Sequence, residues 1–256
     1  MKKKIELIMS ILLILSAVCL ANHAAHISAS QEELESQGGW ISAINIFGYK
    51  DEVMGKKFLK NKKIVIDPGH GGEDLGKIAV DGALEKDINL TIALALGTYL
   101  KEHGADVHYT RQTDEGLYSS GAVSKKSEDL KKRCSIVENV NPDITISIHQ
   151  NSYTESYVKG AQVFYYSQSA PSMELAKNIQ KELIQTADPE NHREAKANDS
   201  YYILKRTVSP TVIVECGFLS NPKEAELLQK ESYQKKIVQG IYNGIVQYFQ
   251  DTKEKK

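Results

Sequence analysis

Four polar residues lie where short apolar runs of the sequence meet a turn or the start of a helix. His70 follows the β-branched run 64–66, Glu85 lies at the start of an apolar helical pattern, and His149 and Glu215 each follow a further apolar run. Two imidazoles and one carboxylate are a usual ligand set for catalytic zinc, and they leave a fourth position open for water. If the fold brings these residues together, they could bind one Zn²⁺ and activate water.

Each of these residues also has an ordinary explanation when it is taken alone. A single His after a strand is most often structural, and Glu85 at a helix start would favour the helix macrodipole. Glu215 is harder to explain in this way, since it lies between the apolar run 212–214 and Cys216. A carboxylate there must be buried, and burial is costly without a partner or a metal. The set as a whole therefore favours a site.

The elements that would position these residues alternate between strand and helix from Lys63 onward. Strands are predicted at 64–66, 107–110, 144–148, 160–166, 201–204 and 211–214, helices at 88–100, 127–140, 172–186, 223–230 and 232–250, and a polar loop at 187–200. This order predicts a single α/β domain with an open, mostly parallel, twisted sheet and helices on both faces. The carboxyl ends of parallel strands share one edge, so we expect the zinc site at that edge.

Composition excludes several classes of protein. The chain has 256 residues, of which 41% are hydrophobic and 25% charged, and its formal net charge is −1. Such a charge balance argues against a nucleic-acid partner bound through phosphate neutralisation. Three cysteines, at 19, 134 and 216, are too few for a disulfide scaffold. Cys134 and Cys216 could pair outside the cytoplasm, although their apolar surroundings favour two buried thiols.

The N-terminal sequence predicts export. Lys2–Lys4 precede a stretch without charge from Leu7 to Ala21, which is shorter than the roughly 20 apolar residues that span a bilayer. This pattern is typical of a secretory signal peptide, with an uncleaved anchor as the alternative. In both cases we expect an extracytoplasmic protein, with membrane contact only through this segment if it is uncleaved. The predicted division is signal peptide or anchor at 1–21, polar tether with a short accessory segment at 22–61, one domain at 62–250 and a charged tail at 251–256.

The same residues lie in sequence blocks that resemble the zinc-dependent N-acetylmuramoyl-L-alanine amidases of the Amidase_3 family. The blocks are IVIDPGHGGEDLG (64–76), LEKDINL (84–90), YTRQTD (109–114), ISIHQNS (146–152) and PTVIVECGFLSNPKEAELL (210–228). The resemblance implies a catalytic amidase domain at 62–250, one zinc ion bound by His70, Glu85 and His149, and a catalytic Glu215. It also implies hydrolysis of the amide bond between N-acetylmuramic acid and L-alanine in peptidoglycan.

Within that family the chain is most similar to the CwlD-type cortex amidases of spore-forming bacteria. The loop at 187–200 is too short for the helical insertion that blocks the site of division-type relatives. This resemblance implies a role in sporulation and germination on the route to muramic δ-lactam, in the cell wall or the forespore intermembrane space, with an accessory lipoprotein as a candidate partner. The chain departs from the family's R-G-x-K pattern at Arg193–Lys196, which affects the substrate groove.

Two other functions remain open from the sequence. A zinc peptidase on a similar scaffold would cut the peptide stems of peptidoglycan, and a wall-binding regulator would bind without catalysis. The presence of all four candidate site residues argues against the regulator.

Overall fold

The structure is a computed structural model that describes residues 58–254. The strands are β1 (Lys63–Pro68), β2 (Asp106–Tyr109), β3 (Ile144–Asn151), β4 (Gln162–Tyr165), β5 (Lys196–Ala197) and β6 (Thr211–Phe218). The helices are α1 (Glu85–Glu102), α2 (Lys125–Val140), α3 (Ala170–Thr186), α4 (Tyr202–Arg206), α5 (Pro222–Leu228) and α6 (Glu231–Glu254). No helix within 58–254 is long and apolar enough to cross a membrane. The predicted leader at 1–21, and the tether as far as residue 57, lie outside the described residues.

The six strands form one sheet in the order β2-β1-β3-β6-β4-β5. β1 pairs in parallel with β2 and β3, and β3 pairs in parallel with β6. The exception is β4, which runs antiparallel to β6 and pairs in parallel with β5. β1, β3 and β6 are almost wholly buried, as expected for central strands covered on both faces. The predicted α/β class and mostly parallel sheet are therefore confirmed.

Helices cover both faces of the sheet. α1 and α3 both pack against α6, while α2 and α4 pack against each other and contact β1 and β6 respectively. The contact between α3 and α6 is close: a Cβ at Gly244 would lie 2.5 Å from the Cα of Ile179. Beneath α4 lies a small apolar cluster, formed by Phe164, Ile203, Leu204 and Ile213. Thus the sheet is enclosed, and its carboxyl edge is where side chains can meet a ligand.

The structure corrects three sequence predictions. The segment 201–204 is not a strand, because Tyr201 precedes the short helix α4. Asn198 turns the chain there: its Oδ1 accepts hydrogen bonds from the backbone N–H groups of Ser200 and Tyr201. The predicted loop at 187–200 contains β5, and α6 extends to Glu254, within the predicted charged tail.

Both cysteines of the described region are free thiols. Cys216 is buried within β6, and Cys134 is half-buried against the apolar cluster beneath α4. Burial raises the pKa of the Cys134 thiol to about 11, so it is neutral at ordinary pH. Both residues therefore act as small apolar side chains, and the pairing left open by the sequence does not occur in this structure.

Candidate metal centre

His70 lies in the turn directly after β1, in a backbone conformation that is uncommon for a residue with a side chain. Its φ is +61°, in the left-handed region. Arg133 of α2 holds this turn: its Nη2 donates to the His70 carbonyl at 2.6 Å, and its Nη1 donates to the Pro68 carbonyl at 2.7 Å. Two hydrogen bonds from one buried guanidinium thus fix the main chain that carries the imidazole.

Asp67 balances the charge of Arg133 within the sheet. Its carboxylate accepts hydrogen bonds from Arg133 Nη1 at 2.8 Å and from the hydroxyls of Thr110 and Ser147 at 2.6 Å each. Burial opposes ionisation of Asp67, but the nearby guanidinium and these hydrogen bonds outweigh it and lower the pKa to about 2. Asp67 is therefore an anion that supports the turn through Arg133.

Glu85 is the first residue of α1, and its buried carboxylate joins the two candidate imidazoles. Its Oε1 lies 3.2 Å from His70 Nε2 and 3.1 Å from His149 Nδ1. The backbone N–H of Lys77 donates to Oε2 at 2.7 Å, and that of Gln150 donates to Oε1 at 3.1 Å. Although burial raises the pKa of Glu85, hydrogen bonds and charge from both imidazoles hold it well below its usual range. Glu85 is therefore ionised.

One nitrogen of the His70 ring is already in contact with a carboxylate. Its Nδ1 lies 2.9 Å from the Asp74 carboxylate, so Nε2 is the nitrogen that faces Glu85. Burial lowers the pKa of His70, but the nearby Asp74 and Glu85 carboxylates raise it overall to about 9. A carboxylate on Nδ1 that leaves Nε2 free is the usual support for a metal-binding imidazole. The surroundings of His70 thus favour positive charge.

His70, Glu85 and His149 together form a group that could hold a metal ion. Each offers one ligand atom, and these atoms all lie within 4.8 Å of one another. The two rings stand edge to face with their centroids 5.0 Å apart. Two imidazole nitrogens and a carboxylate oxygen thus converge on one point, where a cation could replace the protons on the rings. The donor set and its spacing fit a small divalent ion with an open coordination position.

Gly69 gives His149 the room it needs. A Cβ at this position would lie 2.7 Å from His149 Nδ1 and nearer still to two other ring atoms. Gly76 plays the same part for Glu85, since a Cβ there would lie 2.6 Å from Glu85 Oε2. These close approaches explain why glycine is required beside the candidate ligands.

Glu215 lies beside His149, because the two are register partners in β6 and β3. Its side chain is buried, and its Oε1 accepts a hydrogen bond from the Tyr201 hydroxyl at 3.3 Å. Oε2 is buried and has no hydrogen-bond partner among residues 58–254. Burial is the main cause that raises the pKa of Glu215 to about 7. This carboxyl group can therefore hold or release a proton near neutral pH.

All four candidate residues line one cavity of about 470 Å³ at the carboxyl edge of the sheet. The cavity extends from the two imidazoles toward α2, where Lys126 and Leu130 form part of its wall. His192, by contrast, is exposed and does not line it. The arrangement can bind a cation, place a proton acceptor beside it and admit an extended substrate.

Several residues that shape this site gave no clear signal in the sequence. Asp74, Arg133 and Tyr201 all contact the candidate residues, Asp74 from the same loop as His70 and the other two from distant parts of the chain. From the sequence alone, a charged residue within an amphipathic helix, such as Arg133, is expected to be exposed. Its buried position becomes evident only when the helix is packed against the sheet. The block 109–114 carried one signal, since Thr110 and Arg111 both donate to the last two residues of β1.

Comparison with known proteins identifies relatives over most of the chain. The model of the family described as N-acetylmuramoyl-L-alanine amidase matches residues 64–247. A germination-specific N-acetylmuramoyl-L-alanine amidase of Bacillus subtilis is 41% identical over 195 residues, which are 75% of this chain and 81% of that protein.

Solved structures give the same result. The CwlD amidase from Clostridioides difficile, in complex with the GerS lipoprotein, is 43% identical with a TM-score of 0.73, covering 75% of this chain and 100% of that one. The catalytic domain of the amidase CwlV from Bacillus (Paenibacillus) polymyxa is 30% identical with a TM-score of 0.62, covering 74% and 98%.

Proposed function

Because this chain belongs to the N-acetylmuramoyl-L-alanine amidase family, we propose that it is a zinc-dependent hydrolase of the bond between N-acetylmuramic acid and L-alanine in peptidoglycan. The observation that carries this proposal is the convergence of His70, Glu85 and His149 beside the buried Glu215. Family membership indicates which bond is cut, and the site contains the metal ligands and the proton acceptor that such a hydrolysis needs.

The proposed zinc ligands are His70, Glu85 and His149, with one ion bound. Zinc held there would supply a Lewis acid that lowers the pKa of water and polarises the substrate carbonyl. The chain's own contribution is to hold the three ligands still. The Asp74 carboxylate lies beside His70 Nδ1, the Lys77 and Gln150 N–H groups fix the Glu85 carboxylate, and Gly69 leaves room for His149.

Glu215 is the proposed general base and acid. Its Oε2 has no hydrogen-bond partner among residues 58–254, so it is the oxygen available to accept a proton from the attacking water. The same oxygen can then return that proton to the departing amine of L-alanine. A pKa raised to about 7 by burial suits both steps, because the group must exchange the proton in each direction.

The biological setting is proposed from the relatives. A germination-specific amidase and a CwlD amidase are both more than 40% identical to this chain, which supports action outside the cytoplasm on the spore cortex, on the route to muramic δ-lactam. The CwlD structure contains the GerS lipoprotein, which supports an accessory lipoprotein as a partner here.

The test is product analysis on purified peptidoglycan and muropeptides after incubation with the zinc-loaded full chain. Amidase activity releases peptides with a free N-terminal L-alanine and leaves intact N-acetylmuramic acid, both of which mass spectrometry detects. New termini within the stem would instead identify a peptidase. Absence of any product with zinc bound would favour a wall-binding regulator. Cortex and vegetative peptidoglycan, assayed in parallel, test the cortex assignment.

A further inference from the structure

We propose that Tyr201 is a positioning residue that fixes the orientation of the Glu215 carboxyl group for proton exchange. This inference rests on the proposed function, and it adds a residue to that function which the sequence did not indicate.

The Tyr201 side chain is held over Glu215 by its surroundings. Asn198 Oδ1 accepts from the Tyr201 backbone N–H, at the turn that opens α4. The ring packs against the apolar cluster beneath α4 and stands edge to face with Phe164, with centroids 5.7 Å apart. Backbone and ring are therefore both restrained, and the hydroxyl is directed at β6.

The hydroxyl engages only one of the two carboxylate oxygens. Tyr201 donates to Glu215 Oε1 at 3.3 Å, while Oε2 has no partner among the described residues. Burial and the neighbouring Glu215 charge raise the pKa of Tyr201, so the phenol keeps its proton and acts as a donor. A single donor on Oε1 therefore fixes the plane of the carboxyl group and leaves Oε2 without a partner among the described residues.

Without this hydrogen bond the carboxyl plane can rotate away from its present orientation, and a proton taken up by the group can lie on either oxygen. The productive orientation is then less populated, and the chemical step becomes slower. Substrate binding should change little, because the Tyr201 hydroxyl is occupied by Glu215 and not by substrate. The inference thus predicts an effect on kcat and little effect on KM.

The experiment compares Tyr201→Phe with Tyr166→Phe in the full-length, zinc-loaded protein on a purified muropeptide. Tyr166 packs against the same apolar cluster, so its substitution removes a hydroxyl from the same neighbourhood without touching Glu215. We expect kcat to fall about tenfold in Tyr201→Phe, the effect of losing one hydrogen bond to a charged group, with KM within about twofold. Both constants should stay within about twofold of wild type in Tyr166→Phe.

A second measurement does not depend on activity. In zinc-free protein labelled with ¹³C at the Glu carboxyl carbons, Glu215→Gln identifies the Glu215 resonance by its loss. We expect Tyr201→Phe to move that resonance at fixed pH and Tyr166→Phe to leave it in place. A role of the Tyr201 ring in packing alone would not produce this difference, because phenylalanine keeps the ring and removes only the hydroxyl.

The outcomes separate the two proposals. If wild-type protein releases no N-terminal L-alanine, the proposed function fails, and the carboxyl resonance alone decides whether Tyr201 positions Glu215. If the wild type is active and the two Phe variants behave alike, the inference is overturned. A raised KM with unchanged kcat in Tyr201→Phe would also overturn it, because Tyr201 would then contact substrate.

Discussion

Gly69→Ala should remove the metal centre while leaving the fold intact. The added Cβ would lie 2.7 Å from His149 Nδ1 and closer to two further ring atoms, whereas ordinary contacts begin at 3.4 Å. The φ of Gly69 lies outside the left-handed region, so Ala can adopt the backbone and the conflict falls on the imidazole. The ring must therefore move by on the order of 1 Å.

That displacement is large compared with what a metal site tolerates. Ligand distances in zinc sites vary by about ±0.2 Å, so a ring moved by on the order of 1 Å no longer binds. We expect zinc affinity, measured by competition with a chromophoric chelator, to fall by roughly 100-fold or more. The half-buried ring can move into the cavity, so the zinc-free melting temperature should fall by only roughly 2–4 °C.

The matched control is Gly121→Ala. A Cβ at Gly121 meets no atom within 4 Å, so this variant should bind zinc as the wild type does. The reasoning is refuted if Gly69→Ala binds zinc as tightly as Gly121→Ala, since the imidazole would then not occupy the position that Gly69 leaves free.

The remaining predictions concern the ligands, the base, the buried acid and control. His70→Ala and His149→Ala should each lower zinc stoichiometry well below one per chain and abolish turnover; full zinc occupancy by metal analysis would contradict the ligand assignment. Glu215→Gln should retain zinc and lose on the order of 10²–10⁴ in turnover, and loss of zinc instead would make Glu215 a ligand. Asp67, with a pKa of about 2 in the folded protein against an ordinary value of 3.8, stabilises the fold above about pH 4 and loses this contribution as the pH falls toward 2. Urea titrations in the presence of a metal chelator would measure the difference in unfolding free energy between wild type and Asp67→Asn. This difference should decrease by about 2 kcal/mol when the pH is lowered from 5 to 2, and a constant difference would contradict this reasoning. Because 187–200 contains only the short strand β5 and no helix, activity should respond to added zinc or an accessory protein, and strong activation by limited proteolysis alone would contradict this.

The sequence was sufficient to predict much of this architecture. Alternating β-branched runs and helical spacing predicted the sheet. Because the carboxyl ends of parallel strands share one edge, the same pattern predicted that His70, Glu85, His149 and Glu215 lie together. This succeeded because each residue lies at or near the end of a buried strand or at the start of a helix. Position along such an element largely determines position in space.

Other features depended on contacts between distant segments. The antiparallel direction of β4 follows from its pairing with β6, which comes later in the chain. The helix at Tyr202–Arg206 was mistaken for a strand, because five residues carry too little periodicity to separate the two. Arg133 likewise needed α2 to be docked before its contacts with the turn after β1 could be seen.

The position of β6 in the sheet has a consequence for how the chain folds during synthesis. β6 lies between β3 and β4, although both precede it in the sequence. Until the ribosome has released residue 218, β3 presents an unpaired edge and β4 has no neighbour to join except the two-residue β5. At a synthesis rate of roughly 5–20 residues per second, the time between completion of β3 and completion of β6 is several seconds. A nascent chain stopped before β6 would therefore expose an apolar strand edge that invites aggregation.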